Sequence, residues 1–153
     1  MKLNYSEGTW FAVPLWKGGF GVGVAARITK KGPVILAYLF GPKRETVPNL
    51  PEVAGLDHSA AVKVARIGDL GLINGEWPIL GRSPQWLRDN WPNPKFLVWD
   101  GISRRAWIVQ YADDNPTKLI LQESVVPDTS TLDRDITYGA GAVEIELTEL
   151  LAP

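Results

Sequence analysis

Apolar residues along this chain come in short runs separated by Gly, Pro, Asn and Asp, and most runs alternate with a period of two. That period belongs to strands laid on a core, and the separators are turn formers. Thr9 to Trp16 is apolar on both faces, with Trp10, Ala12, Pro14 and Trp16 on one and Phe11, Val13 and Leu15 on the other. Lys17-Gly18-Gly19 supplies a hairpin turn, since Gly takes positive φ without steric cost. Phe20 to Thr29 alternates Phe20, Val22, Val24, Ala26 and Ile28 with Gly21, Gly23, Ala25 and Arg27. The glycine face either curls the strand or admits another backbone closely. Lys30-Lys31-Gly32 turns into Pro33 to Gly41, the continuous apolar run of a buried strand, which Pro42 ends.

Residues 42–60 hold three Pro and no period, which predicts a loop with a short helical turn. Ala61 to Ile67 reads as a strand. Asn74-Gly75, between apolar runs from Gly68 to Leu80, predicts a two-residue hairpin turn, with Pro78 confining its return strand to an edge or bulge. Ser83-Pro84 starts a short helix over 84–90 as N-cap and first helical residue, and Trp91-Pro92 stops it. Phe96 to Trp99 and Ala106 to Ala112 form a second hairpin about Asp100-Gly101, with Trp107, Val109 and Tyr111 on one face, and Lys118 to Val126 adds a strand. Residues 139–151 fit either period: Val143, Ile145 and Leu147 alternate as in a strand, whereas Val143, Leu147, Leu150 and Leu151 make a helix stripe. The helix is the reading adopted. The expectation is a mostly β, α+β domain over 1–153: an N-terminal antiparallel meander continuing into a curved sheet or barrel.

Composition supports this. Seven Trp with 15 Gly and 12 Pro in 153 residues suit short strands, turns and bulky rings between layers, and disfavour a helical bundle. With no Cys, neither a disulfide framework nor thiolate metal ligation is available. The first residues lack a signal-peptide pattern, and the longest apolar run falls far short of the roughly 20 residues of a membrane span, so a cytoplasmic location is expected. The net charge of −1 hides a gradient. Residues 1–109 carry fourteen Lys and Arg against eight Asp and Glu, and residues 110–153 only Lys118 and Arg134 against nine acids.

Candidate chemistry is sparse. His58 is the lone His and stands in the weakly patterned loop, with no nucleophile elbow around Ser59 or another Ser. A zinc site built on one His without Cys would need three carboxylates, an unusual set. Asp69 and Glu76, the natural carboxylate pair, would stand about 13 Å apart across the expected hairpin, too far for glycosidase chemistry. Asp69 then reads as a turn or capping residue. Gly18-Gly19-Phe20-Gly21-Val22-Gly23 lacks the following helix and Gly-Lys-Ser ending of a phosphate loop. No catalytic, cofactor or metal residue is assigned. Lys30-Lys31, Lys43-Arg44 and Arg104-Arg105 at strand ends leave nucleic-acid or peptide binding as the alternative function, favoured if they converge on one face. Of the tryptophans, Trp10, Trp77, Trp86 and Trp107 are expected in the core, and Trp16 and Trp99 near exposed tips.

Three stretches carry a family resemblance: Gly8-Thr9-Trp10-Phe11-Ala12-Val13-Pro14-Leu15 with Gly19-Phe20-Gly21-Val22-Gly23; Ala37-Tyr38-Leu39-Phe40-Gly41-Pro42; and Arg66-Ile67-Gly68-Asp69-Leu70-Gly71-Leu72-Ile73-Asn74-Gly75-Glu76-Trp77-Pro78. With a weaker echo at Trp91 to Phe96, residues 8–100 resemble the immunity protein 26 family of bacterial polymorphic toxin systems. The resemblance implies a mostly β fold, a cognate toxin as partner, and Gly68, Asp69, Gly75 and Trp77 as fold determinants rather than catalytic groups. An immunity role asks for a stable scaffold with one complementary face. The acidic residues Asp128, Asp133, Asp135, Glu144, Glu146 and Glu149, with Trp16 and Trp99, are the candidate toxin-binding set, facing the basic surface that a nuclease toxin would present.

Overall fold

Strands β1 (Thr9–Pro14), β2 (Phe20–Arg27) and β3 (Val34–Arg44) form the antiparallel meander in the computed structural model, which describes residues 2–126 and 132–153. β4 (Lys63–Gly68) pairs antiparallel with β3, β5 (Ile79–Arg82) antiparallel with β1, and β9 (Thr137–Tyr138) parallel with β4. The result is a six-stranded sheet of order β5-β1-β2-β3-β4-β9, open rather than closed into a barrel. β6 (Lys95–Asp100), β7 (Arg105–Ala112) and β8 (Asn115–Val125) make a second, three-stranded antiparallel sheet. Helices α1 (Leu50–Val53), α2 (Leu70–Ile73) and α3 (Ala140–Leu150) complete the mostly β fold.

Both faces of the large sheet are covered, which explains why β1 and β3 read as apolar on each side. On one face Phe11, Val13, Ile35, Leu39 and Ile67 pack under α2, Trp77 and the Val143/Leu147 stripe of α3. On the other, Trp10, Val22, Val24 and Phe40 meet Val53 of α1 and Trp91, and Leu36 meets Phe96, Val109 and Tyr111 of the small sheet. Two arginines, Arg27 buried and Arg66 nearly so, tie the sheets together. Arg27 donates to Asp113 at 3.0 Å and to the Trp91 carbonyl at 2.8 Å. Arg66 donates to Asp135 at 2.8 Å and lies 3.8 Å over the Tyr111 ring.

The glycine face of β2 receives side chains, not a backbone. Gly23 stands opposite Phe11, where a methyl would come 2.7 Å from the ring. Phe11 stacks on Trp77 at 5.6 Å between centroids, and a methyl on Gly71 would stand 2.4 Å from that indole. Two glycines thus make room for two fully buried aromatic rings.

Several elements differ from expectation. Leu70–Ile73 is a helical turn, not half of a hairpin, and Gly75, at φ +80°, follows the helix end rather than a type I′ turn. Asn-Gly suits either use, because both need a residue at positive φ. Asp69 stands at the N-cap of α2 but makes no side-chain cap; its buried carboxylate accepts the Tyr5 hydroxyl at 2.8 Å. β3 runs through Pro42 to Arg44, since the pairing with β2 slips between Phe20 and Val22 and Pro42 falls in that irregularity, where the ladder needs no N–H. Residues 84–90 form a turn and a 3-10 turn (Arg88–Asn90) instead of one helix, with the Ser83 hydroxyl accepting from the Gln85 N–H at 3.2 Å. The last segment is the helix, so Ile145 and Leu150 face outward, 40% and 42% exposed, while Val143 and Leu147 are buried.

Candidate functional site

The tight turn after β1 places Trp16 beside α3. Gly18 and Gly19, both at positive φ, reverse the chain so that Trp16 stands outside the sheet, 67% exposed. Its position is nevertheless set: the backbone N–H donates to the Thr148 hydroxyl at 2.9 Å and the indole N–H to Glu144 at 3.1 Å. The second oxygen of Glu144 accepts the Trp77 indole N–H at 2.9 Å, so one carboxylate links an exposed ring to a buried one. Ile145 and Glu149, one helical turn apart on α3, are exposed on its outer side. An aromatic ring held by two hydrogen bonds and flanked by carboxylates loses little freedom when a partner covers it.

The other acidic candidates divide. Glu146 lies 3.8 Å from Lys63. Asp133 is exposed where its backbone carbonyl accepts from Leu97 of β6. Asp135 is engaged inside the protein, with Arg66 and the Tyr111 hydroxyl, which donates to it at 2.6 Å. Burial first, and that bond second, push the Tyr111 hydroxyl up to about 12. Trp99 is half-buried on β6, paired across to Ala106 and apart from the Trp16–α3 group. Asp128 lies outside the described residues. The candidates brought into contact are therefore Trp16 and Glu144, with Glu149 exposed on the same helix.

The basic pairs do not converge. Lys30-Lys31 precedes β3 and Lys43-Arg44 ends it, so some 11 residues of strand, about 33 Å, separate them. Arg104-Arg105 begins a strand of the other sheet.

On the opposite face of the large sheet from α3, a cleft of about 430 Å³ opens between α1 and the 83–92 segment, lined by Trp10, Trp86, Trp91, His58, Asp57 and Asp89 among others. His58 stands edge-on to Tyr38, while Asp57 accepts the Ser59 N–H at 3.0 Å. The Ser59 hydroxyl and N–H hold the Asp57 carboxyl below its usual range. Asp57 and Ser59 bond each other, not His58, so no relay forms. Asp69 is buried and Glu76 exposed, which separates that pair as well. Among the described residues, no three His, Asp or Glu side chains group so as to hold a metal.

Glu7 holds Trp86 of the cleft wall in place from outside the lining, a role that its place before Gly8 did not reveal. Its carboxylate accepts the Arg88 Nε–H at 2.9 Å and the Trp86 indole N–H at 3.1 Å, and its carbonyl accepts from Arg82 at 2.7 Å. Burial raises the Glu7 pKa, but the Arg88 and Trp86 hydrogen bonds outweigh it and the net direction is downward. Trp86 in turn stacks on Trp91 at 5.1 Å. Trp10, in the cleft lining and only 1% exposed, has an indole N–H with no hydrogen-bond partner among the described residues.

A comparison with protein families matches the model of immunity protein 26 over residues 6–108, which includes β1 to β6 and every residue lining the cleft but not α3. No curated protein and no solved structure matches the chain.

Proposed function

The chain belongs to the immunity protein 26 family, and on that premise we propose that it binds a cognate toxin and neutralises it by protein–protein contact. The observation that carries the choice of surface is the fixed, exposed Trp16 ring on the acidic outer side of α3. Interface anchors are enriched in Trp, and a ring already positioned gives more of its burial to affinity. The carboxylates of Glu144 and Glu149 suit a basic toxin surface, and their field would speed capture. No helix among the described residues is long and apolar enough to cross a membrane.

The test is co-expression with the product of the adjacent reading frame. The reading predicts that this product is toxic alone, harmless with the chain, and recovered with it in equal amounts. Recovery of nucleic acid alone, released by moderate salt, would overturn the reading.

A further inference from the structure

The cleft between the end of α1 and residues 83–92 opens on the other face of the large sheet from Trp16 and α3. Its walls combine indole rings, Trp86 and Trp91, with the carboxylates of two exposed acids, Asp57 and Asp89. Leu87, 61% exposed, adds an apolar rim. Arg88, beside Asp89 in the sequence, is engaged with Glu7, and neither Asp57 nor Asp89 has an ion pair among the described residues. A neighbouring, more apolar depression of about 460 Å³, lined by Leu50, Pro51 and Pro84, shares Ala54, Gly55, Ser83 and Gln85 with the cleft, so the two form one groove.

We infer that this groove binds an extended protein segment carrying an arginine, with the guanidinium in the aromatic–acidic half and an apolar neighbour in the other. Trp86 and Trp91 stack on each other, so they offer ring edges to the cleft; a guanidinium presents a planar fork of donors to the carboxylates and carries an apolar stem for Leu87 and the exposed edge of Trp86 to cover. The same occupant accounts for the unpaired indole N–H of Trp10. An unsatisfied buried donor is costly, and a main-chain carbonyl or a bridging water brought in by the segment supplies the acceptor. A phosphate-bearing ligand is disfavoured by the two carboxylates, and a wholly apolar one would bury them unpaired.

The site is tested on the intact protein by nuclear magnetic resonance, with Nα-acetyl-arginine methylamide as probe and its neutral isostere, the citrulline derivative, as control. Saturable shifts are expected for the indole resonances of Trp10, Trp86 and Trp91 and for amides of residues 83–90. Binding of the citrulline derivative should be weaker by about fivefold or more. The double variant D57N/D89N should abolish the difference between the two probes; Asn at position 57 retains the acceptor for Ser59, so the turn survives. Equal shifts from both probes, no saturable shift by about 50 mM (a generous ceiling for a charge-assisted side-chain contact), or shifts unaltered in D57N/D89N would overturn the inference. None of these outcomes bears on toxin neutralisation, which co-expression reads separately.

Discussion

The indole N–H of Trp77 donates to the carboxylate of Glu144 at 2.9 Å, across 67 residues of chain. Trp77 belongs to the part that the family model matches, and Glu144 to the helix beyond it. The bond fastens α3 to the sheet and at the same time leaves the other Glu144 oxygen for Trp16. Glu144→Ala would leave a buried donor unpaired and should cost about 1–3 kcal/mol of stability in urea unfolding. Glu144→Gln, which retains one acceptor, should cost less, and both variants should increase the quenching of Trp16 fluorescence by acrylamide.

Trp77 is equally constrained from the preceding helix α2. Gly71→Ala would place a methyl 2.4 Å from the indole, with Phe11 stacked on the ring and no room to retreat. Overpacking of this kind costs about 1–3 kcal/mol. Gly55→Ala, with nothing within 4 Å of the added methyl, is the control and should leave the melting temperature almost unchanged.

Asp135 and Glu149 should part company in any charge-reversal series. Asp135 pairs with Arg66 at 2.8 Å with both side chains 11% exposed, so Asp135→Ala leaves an uncompensated buried guanidinium and should destabilise by about 3 kcal/mol. Glu149→Lys changes an exposed charge and should leave stability alone. If α3 is the docking surface, Glu149→Lys slows toxin association and flattens its salt dependence, and Trp16→Ala speeds dissociation by more than tenfold, about 1.4 kcal/mol or more. Association and dissociation rates unaltered by both changes would remove α3 from the interface.

Stability should fall at both ends of the pH range. Burial pushes the Tyr38 hydroxyl up from 10.0 to about 12. A raised pKa favours the protonated folded state, so this contribution is complete below pH 10 and is lost as pH rises towards 12. Tyr38→Phe should therefore show a shallower alkaline loss in urea titrations, from a lower starting stability, because the bond to the Pro92 carbonyl is gone. Glu7 acts in the opposite sense. Its lowered pKa makes its contribution complete above the ordinary carboxylate range and lost as pH falls through the depressed value. Glu7→Gln should flatten the acid limb.

Legibility followed the length of the pattern. The meander, the strand over 61–67, the second hairpin and β8 are apolar or alternating runs long enough to stand out between their turn residues. β9, two residues long, carries no period, whereas the short helical turn expected within 42–60 is α1, fixed by its Asn49–Glu52 capping box. The Trp16 and Asp133 positions were expected at the surface and are exposed, but a list of acids gave no warning that Asp135 is held internally. The hairpin at Asn74-Gly75 failed because positive φ serves a helix end as readily as a strand turn.

By itself, then, the order of residues determined the class of elements, their mostly antiparallel β character and the family, since periodicity, turn residues and spaced motifs are local properties. Tertiary structure alone decided which faces are doubly covered, which carboxylates remain available, and that Trp10, Trp86, His58 and Asp89 line one cleft. Those outcomes depend on contacts between residues tens of positions apart. Their energies come from burial and pairing, and the linear order does not display them.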